Sequence, residues 1–331
     1  MKALVTGGGG FLGGAIVRLL RDRGDSVRSF SRSTHPALEA SGVEQVRGDL
    51  GDAAAVAAAA EGCDVVFHVA AKAGVWGRWR DYFQANVIGT ENIVAACRKH
   101  RVRRLVFTSS PSVTFTGADQ TGVNESEPYP RRFLAHYPHT KALAEQAVRA
   151  ANGPELATVA LRPHLIWGPG DPHLVPRLVG RAKAGRLRRV GREPKLVDTT
   201  YVDNAALAHV QAADRLEPGS PVAGKAYSVS QGEPEPLWDF VNRVLAAAGL
   251  PPVTRTVPAG RAYVAGAFFE CVYKVLSLPG EPPMTRFVAR ELSTAHWFDL
   301  TAAKRDLGYA PAVTTEEGLR RLRDCLDRGH A

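Results

Sequence analysis

The feature that most constrains this chain stands at its beginning. Residues 2–5 form a short apolar run of strand length and lead without a break into Thr6-Gly7-Gly8-Gly9-Gly10-Phe11-Leu12-Gly13. Gly7, Gly10 and Gly13 recur every three residues, after a strand and at the opening of a helical stretch, 11–23. In that setting each glycine has a task. Gly7 permits a tight turn, Gly10 lets the backbone approach a pyrophosphate, and Gly13 lets helix and strand pack closely. The start of the helix adds N–H groups and positive potential suited to phosphates.

The rest of the first half repeats the theme. Residues 26–30, 44–46, 64–69, 104–108 and 158–161 read as strands, with helices at 53–60, 83–100 and 137–151 between them. Such alternation predicts an α/β fold, a Rossmann-type doubly wound parallel sheet with helices on both faces. Beyond about residue 168 proline and glycine become frequent, and strands near 199–202 and 226–229 are separated by helical segments. We expect a dinucleotide-binding domain over 1–168, joined by later strands from 198–230, and a smaller, interleaved C-terminal substrate lobe over 169–331. Residues 263–278 are apolar on most of their circumference, with Glu270 and Lys274 spaced as an i,i+4 pair and Pro279 as the stop. A core-packed helix is the first reading; a lid over an apolar substrate and an interfacial helix on a membrane are the alternatives.

Composition enters by exclusion. At 45% apolar and 23% charged the chain reads as a soluble globular protein, and no run of 18 apolar residues predicts a spanning helix. The N-terminus lacks the regions of a signal peptide, so a cytoplasmic location is expected. Cys63, Cys97, Cys271 and Cys325 lie far apart without a CxxC, which argues against a disulfide framework or a zinc knuckle. His136 and His139 are the closely spaced histidines, and no metal site is expected. The formal charge of +9 is concentrated in 98–104 and 177–195, where no interleaved aromatics suggest nucleic-acid binding. A solvated face is the plain reading of these runs, and attraction for anionic cofactors, acidic substrates or anionic lipid the functional one.

Cofactor choice is read at the end of the second strand. An NAD enzyme places a carboxylate there; this chain has Ser31 and Arg32, a hydroxyl and a guanidinium suited to a 2′-phosphate. NADP(H) is therefore expected over NAD(H). Asp49-Leu50 follows the third strand, where a carboxylate accepts from an adenine amino group. Tyr137-Pro138-His139-Thr140-Lys141 puts a phenol and an ammonium on one helical face. A free phenol titrates near 10, and a neighbouring cation lowers it toward use as a general acid. Upstream, Thr108-Ser109-Ser110-Pro111-Ser112 ends a strand at the sheet's carboxyl edge, and Ser110 is the expected partner of a substrate oxygen, with Ser109 and Ser112 as neighbours.

On these residues the chain resembles the extended short-chain dehydrogenase/reductase family, through 6–13, Asp49-Leu50, His68-Val69-Ala70-Ala71, 86–90, 108–110, 137–141 and 161–163. The likeness runs over essentially the whole chain. Residues 137–153 are similar to the 3β-hydroxysteroid dehydrogenase branch, while 70–77, 161–174, 231–234 and 281–287 resemble a bacterial group within it. That group reduces the 3-keto group of long-chain 2-alkyl-3-oxoalkanoic acids with NADPH in olefin biosynthesis. The resemblance implies Ser110, Tyr137 and Lys141 as catalytic residues, with Lys141 also on the nicotinamide ribose. It implies Thr6, Gly7, Gly10, Phe11 and Leu12 along the pyrophosphate, Asp49-Leu50 at the adenine, Ala70 and Ala71 beside the cleft, Asn86 supporting the site and Pro163 by the nicotinamide.

A long-chain β-keto acid needs an apolar slot, for which 263–278, Trp76, Trp79 and Trp167 are candidates, and a carboxylate anchor, for which Lys72 and His164 are. The alternatives are a 3β-hydroxysteroid or sterol dehydrogenase and, less favoured, a sugar-nucleotide epimerase. A non-catalytic NADP sensor is disfavoured by Tyr137 and Lys141. Homodimerisation is common in the family. It and association with pathway enzymes or a membrane surface stay open.

Overall fold

The computed structural model describes residues 1–328. Seven strands form the main sheet: β1 (Lys2–Thr6), β2 (Ser26–Ser31), β3 (Glu44–Arg47), β4 (Val65–His68), β5 (Arg104–Thr108), β6 (Ala157–Pro163) and β7 (Ala226–Val229). They lie in the order β7-β6-β5-β4-β1-β2-β3, and every neighbouring pair is parallel. Strand addition changes direction between β1 and β4, which opens a crevice at the carboxyl ends. The central strands are continuous apolar runs because both their faces are covered: Leu4, Val5, Val66, Phe67, Leu105 and Val106 are fully buried.

On one face Ile16 and Leu20 of the helix Phe11–Asp22 share a core with Ala205, Ala208 and Ala212 of the helix Val202–Arg215. On the other, Val56 and Ala60 of the helix Ala53–Ala60 pack with Ile93, Cys97 and Val148. Asp52 starts the helix Ala53–Ala60, its Oδ1 accepting the N–H groups of Ala54 and Ala55 at 3.0 and 3.1 Å.

Three elements differ from the sequence expectation. The helix expected from 83 begins at Trp79 and carries a π-helical turn over Phe83–Ile88, which shifts the side-chain period read from sequence. Of the segment 198–230, Ala226–Val229 joins the main sheet; Thr200–Tyr201 instead pairs with Ile166–Trp167 in a separate two-stranded ladder. A four-stranded sheet gathers Glu235–Pro236, Leu196–Val197, His296–Phe298 and Gln120–Val123.

The third difference is the helix Ala259–Val275, expected as a core element. Its buried residues are Ala262 and Gly266, and a Cβ on Gly266 would meet the Thr285 carbonyl carbon at 2.6 Å. Its opposite face is open. Glu270 does not pair with Lys274: it accepts from the backbone N–H and Nε of Arg286, both at 2.7 Å. The helix stops ahead of Pro279, and Ser277 turns the chain at φ 49°. Among the described residues no helix is long and apolar enough to cross a membrane. No two of Cys63, Cys97, Cys271 and Cys325 are joined to each other; the first two and Cys325 are buried, and Cys271 is exposed.

Candidate active site

The glycine loop is built as its spacing implies. Gly7 adopts φ +69°, its N–H donating to the Phe30 carbonyl at 2.8 Å, and the Gly10 N–H donates to the Gly7 carbonyl at 2.9 Å. A Cβ on Gly13 would lie 2.1 Å from the Gly7 oxygen, so helix and loop meet at a distance no side chain allows. Gly10 caps the helix Phe11–Asp22 without a side-chain acceptor, leaving the first N–H groups without a side-chain partner at the cap. The loop borders a cavity of about 950 Å³ along the carboxyl edge of the sheet, lined in part by Gly7, Gly10, Phe11, Leu12 and Gly13. A helix start without a cap and a cradle that a Cβ would fill fit a dinucleotide.

Thr6, expected along the pyrophosphate, and Asn86, expected to support the site, both stand behind the cleft. Thr6 is fully buried; its Oγ1 accepts the N–H groups of Val69 and Ala70, each at 3.0 Å, and meets His68 Nδ1 at 2.9 Å. It therefore ties β1 to the end of β4. Asn86, on the π-helical turn, accepts the Lys72 N–H at 2.7 Å and donates to the Lys72 carbonyl and Thr140 Oγ1 at 3.1 and 3.0 Å. Its amide holds the loop after β4 in place.

Ser31, Arg32, Asp49 and Leu50 line the opposite end of the cavity. Ser31 Oγ donates to the Ser33 carbonyl at 2.7 Å, and Asp49 Oδ1 accepts the Gly51 N–H at 2.8 Å, so both shape turns. Arg32 is exposed, and its guanidinium has no hydrogen bond or ion pair among the described residues. Arg47 Nε donates to the Arg32 carbonyl at 3.0 Å, bringing a second guanidinium to this end. Sequence reasoning missed Ser33, His35 and Gln84, which also line the cavity. The signal for His35 was the polar run continuing past Arg32. Its ring lies over Gly9, where a Cβ would stand 2.1 Å away.

At the chemical end the cavity is lined by Ala70, Ala71, Ser110, Tyr137, Lys141 and Pro163. Burial raises the Tyr137 phenol, and a hydrogen bond with Ser110 partly offsets this. Ser110 Oγ also meets Ser112 Oγ at 2.9 Å. The nearby Ser109 is not free: its hydroxyl donates to Glu145. Glu145 in turn accepts from Arg162 Nε at 3.0 Å and the Tyr129 hydroxyl at 2.7 Å, in a network whose two charged members are buried.

Lys141 departs from expectation. Its Nζ donates to the Thr108 carbonyl at 2.5 Å and sits 4.1 Å from the centre of the Phe107 ring. Burial lowers its pKa to about 7, against the pull of Glu145. In this arrangement the ammonium is held by the strand end, and burial rather than Lys141 governs the phenol.

The proposed substrate contacts separate in the same way. Lys72 lines the cavity, half-buried, with Nζ 5.4 Å from the centre of the Tyr82 ring. His164 is not a cationic anchor. It is buried, donates through Nδ1 to the Asp198 carbonyl at 2.5 Å, and is pushed down to about 3 by burial and by His296. Trp167 belongs to the core, edge-on to Tyr201 and Phe240, with Nε1 donating to Thr199 Oγ1 at 3.0 Å. Trp79 packs on His136 and His139. Neither it, nor Trp76, nor any residue of 263–278 lines the cavity. Among the described residues the potential metal-binding group is His164, Glu291 and His296, with donor atoms within 4.8 Å of one another, not His136 and His139.

Residues 4–258 match the model of the 3-beta hydroxysteroid dehydrogenase/isomerase family. The chain is 55% identical over 325 residues to the 2-alkyl-3-oxoalkanoate reductase of Stenotrophomonas maltophilia (strain K279a), covering 98% of each chain. It is 34% identical over 325 residues to sterol-4-alpha-carboxylate 3-dehydrogenase, decarboxylating, of Mus musculus, covering 97% of this chain and 89% of that one. Among solved structures, MoeE5 in complex with UDP-glucose and NAD is similar with a TM-score of 0.76 and 25% identity over the whole of both chains.

Proposed function

This chain belongs to the 3-beta hydroxysteroid dehydrogenase/isomerase family and is a Rossmann-fold oxidoreductase, and we propose that it uses NADPH to reduce the 3-keto group of a long-chain 2-alkyl-3-oxoalkanoic acid, in olefin biosynthesis. The observation that carries this reading is the 55% identity over 98% of the chain to a reductase of that substrate class. The arrangement at the site supports it. A bound dihydronicotinamide would supply the hydride. Ser110 and Tyr137 line the same end of the cavity and converge where a ketone oxygen would accept a proton. Because burial raises the phenol, Tyr137 stays protonated at neutral pH, the form a reductase needs in its general acid. Lys141, half-charged near pH 7, is placed to leave the Thr108 carbonyl for a ribose hydroxyl and to return a proton to the phenolate. Lys72 stands in the cavity with no anion partner among the described residues and suits a carboxylate two carbons from the ketone. Arg32, equally free, suits a 2′-phosphate, and β2 ends without the carboxylate that would repel one.

A sterol reading is favoured by the family match and by the mouse relative, whose name also sets a carboxylate beside the reacting carbon. The test runs in the oxidative direction, where the substrate does not decarboxylate. Purified protein receives a racemic long-chain 2-alkyl-3-hydroxyalkanoic acid or a 3β-hydroxysteroid, with NADP⁺ or NAD⁺, and reduced nicotinamide is followed. Turnover of the hydroxy acid with NADP⁺, abolished in Tyr137→Phe while cofactor binding persists, is the expected result. Turnover of the steroid alone would move the protein to the sterol reading.

A further inference from the structure

The helix Ala259–Val275 breaks the rule that surface helices turn a polar face to water. Val264, Phe268 and Val275 follow one another at i, i+4 and i+11, on one stripe with Cys271, and they are 67%, 62% and 73% exposed. Leu276 and Leu278 extend the stripe past the helix end. Of the six large apolar side chains exposed among the described residues, five lie in this segment, and only Leu196 lies elsewhere. A stripe so concentrated on one element asks for an apolar neighbour.

The charges of the segment indicate which neighbour. Within 259–278 they are Arg261, Glu270 and Lys274. Glu270 is turned inward and held by Arg286, so the exposed charges are the two cations, Arg261 and Lys274. The whole chain adds a formal charge of +9. Exposed apolar side chains flanked by cations, with the carboxylate withdrawn, match an anionic lipid surface better than a second copy of the same cationic face.

The position is equally specific. The chain leaving this helix runs back against the cavity wall. Glu281 pairs with Arg177, and a Cβ on Gly74 would meet Glu281 Oε1 at 3.2 Å and the Tyr82 hydroxyl at 3.0 Å. Tyr82 is the ring beneath Lys72. The apolar stripe thus ends beside the segment that carries the free lysine of the cavity.

We propose that the outward face of helix 259–275, with Leu276 and Leu278, lies on the surface of an anionic lipid bilayer and sets the cavity mouth where a long-chain substrate leaves the membrane. The delivery role rests on the long-chain reading of the substrate; the membrane contact does not, and it is tested without substrate. The protein binds vesicles of phosphatidylglycerol and phosphatidylcholine in a flotation assay, binds phosphatidylcholine alone less, and is weakened by salt. Phe268→Glu/Val275→Glu, two changes at exposed positions, lowers the bound fraction at least about tenfold while leaving the thermal melt and cofactor affinity unchanged. Because Cys271 lies on the stripe and is the exposed thiol of the four, a polarity-sensitive thiol probe there shifts to the blue on the mixed vesicles. Failure of the wild type to bind, or equal binding by the double variant, overturns the proposal. So does light scattering that shows a dimer dissociated by the same variant, since the stripe would then be an interface between copies. Absent turnover of the hydroxy acid with intact vesicle binding would remove the delivery role alone.

Discussion

At the scale of single residues, Lys141 carries a charge the fold resists. Its folded pKa of about 7 lies below the ordinary lysine value of 10.5 because the Nζ is buried. Between those values the unfolded chain holds the proton and the folded chain does not, so this group makes stability rise with pH; below about pH 7 its penalty is complete. Lys141→Met removes the penalty. The melting temperature of the variant minus that of the wild type is therefore expected to be most positive at pH 6 and to narrow steadily toward pH 9.5. A difference independent of pH would show that Lys141 does not lose its proton on folding in this range. Lys72 is the complementary case, a cation with its backbone clamped by Asn86 and no anion beside its ammonium. If it receives the substrate carboxylate, Lys72→Met raises KM for the acid about 10- to 100-fold, the worth of one charged hydrogen bond. KM for the methyl ester of the same compound stays where it was, and a parallel rise for both would assign Lys72 to packing.

At the scale of elements, the helix His136–Ala150 is positioned by a buried ion pair as much as by its apolar face. Glu145 reaches Arg162 of β6, Ser109 after β5 and Tyr129, all from one carboxylate. Arg162 holds its carboxyl below the usual range and is itself raised in return, so both partners stay ionised. Glu145→Ala leaves the guanidinium buried and unpaired, and urea denaturation should show a loss of about 3–5 kcal/mol, with Glu145→Gln between the two. A loss below about 1 kcal/mol, the scale of an exposed pair, would mean that water reaches Arg162.

This network also marks where the sequence stopped being informative. The strands 104–108 and 226–229 and the helix 53–60 coincide with the residues read from periodicity, because apolar runs of strand length and an alanine stretch report local preference directly. The glycine loop was legible for the same reason. What escaped depends on partners distant in the chain. Thr6 and His68 meet because β1 and β4 are in register across 62 residues, and that pairing withdraws Thr6 from the cofactor. Lys141 finds a backbone carbonyl, which has no letter of its own in a sequence. Helix 259–275 shows the limit most plainly: its apolar circumference was visible, but whether protein or something else covers the outer half is set by its neighbours.

At the scale of the whole molecule, the cations gather around a cavity that the fold places at the switch point of the sheet. Arg32 and Arg47 attend one end, Lys72 and Lys141 the other; Arg80 and the carboxylates Asp49, Asp81 and Asp171 also line the cavity, within a chain of formal charge +9. Such a field favours the more highly charged of two otherwise equal dinucleotides. A ligand that binds the folded state alone adds about 2.7 kcal/mol at one hundred times its Kd, and for a chain of this length that corresponds to roughly 4 °C in Tm. At equal concentration NADP⁺ should therefore raise Tm by several degrees more than NAD⁺. The excess should shrink as salt is raised from about 50 to 500 mM, since exposed charges are then screened. Arg32→Asp should abolish the excess while leaving the NAD⁺ shift in place, because the loop, the uncapped helix and the Lys141 end are untouched. Equal shifts for both dinucleotides in the wild type would instead assign Arg32 to the solvent. The remaining cations of the cavity would then serve the pyrophosphate and the substrate carboxylate, which both cofactors and both substrate readings share.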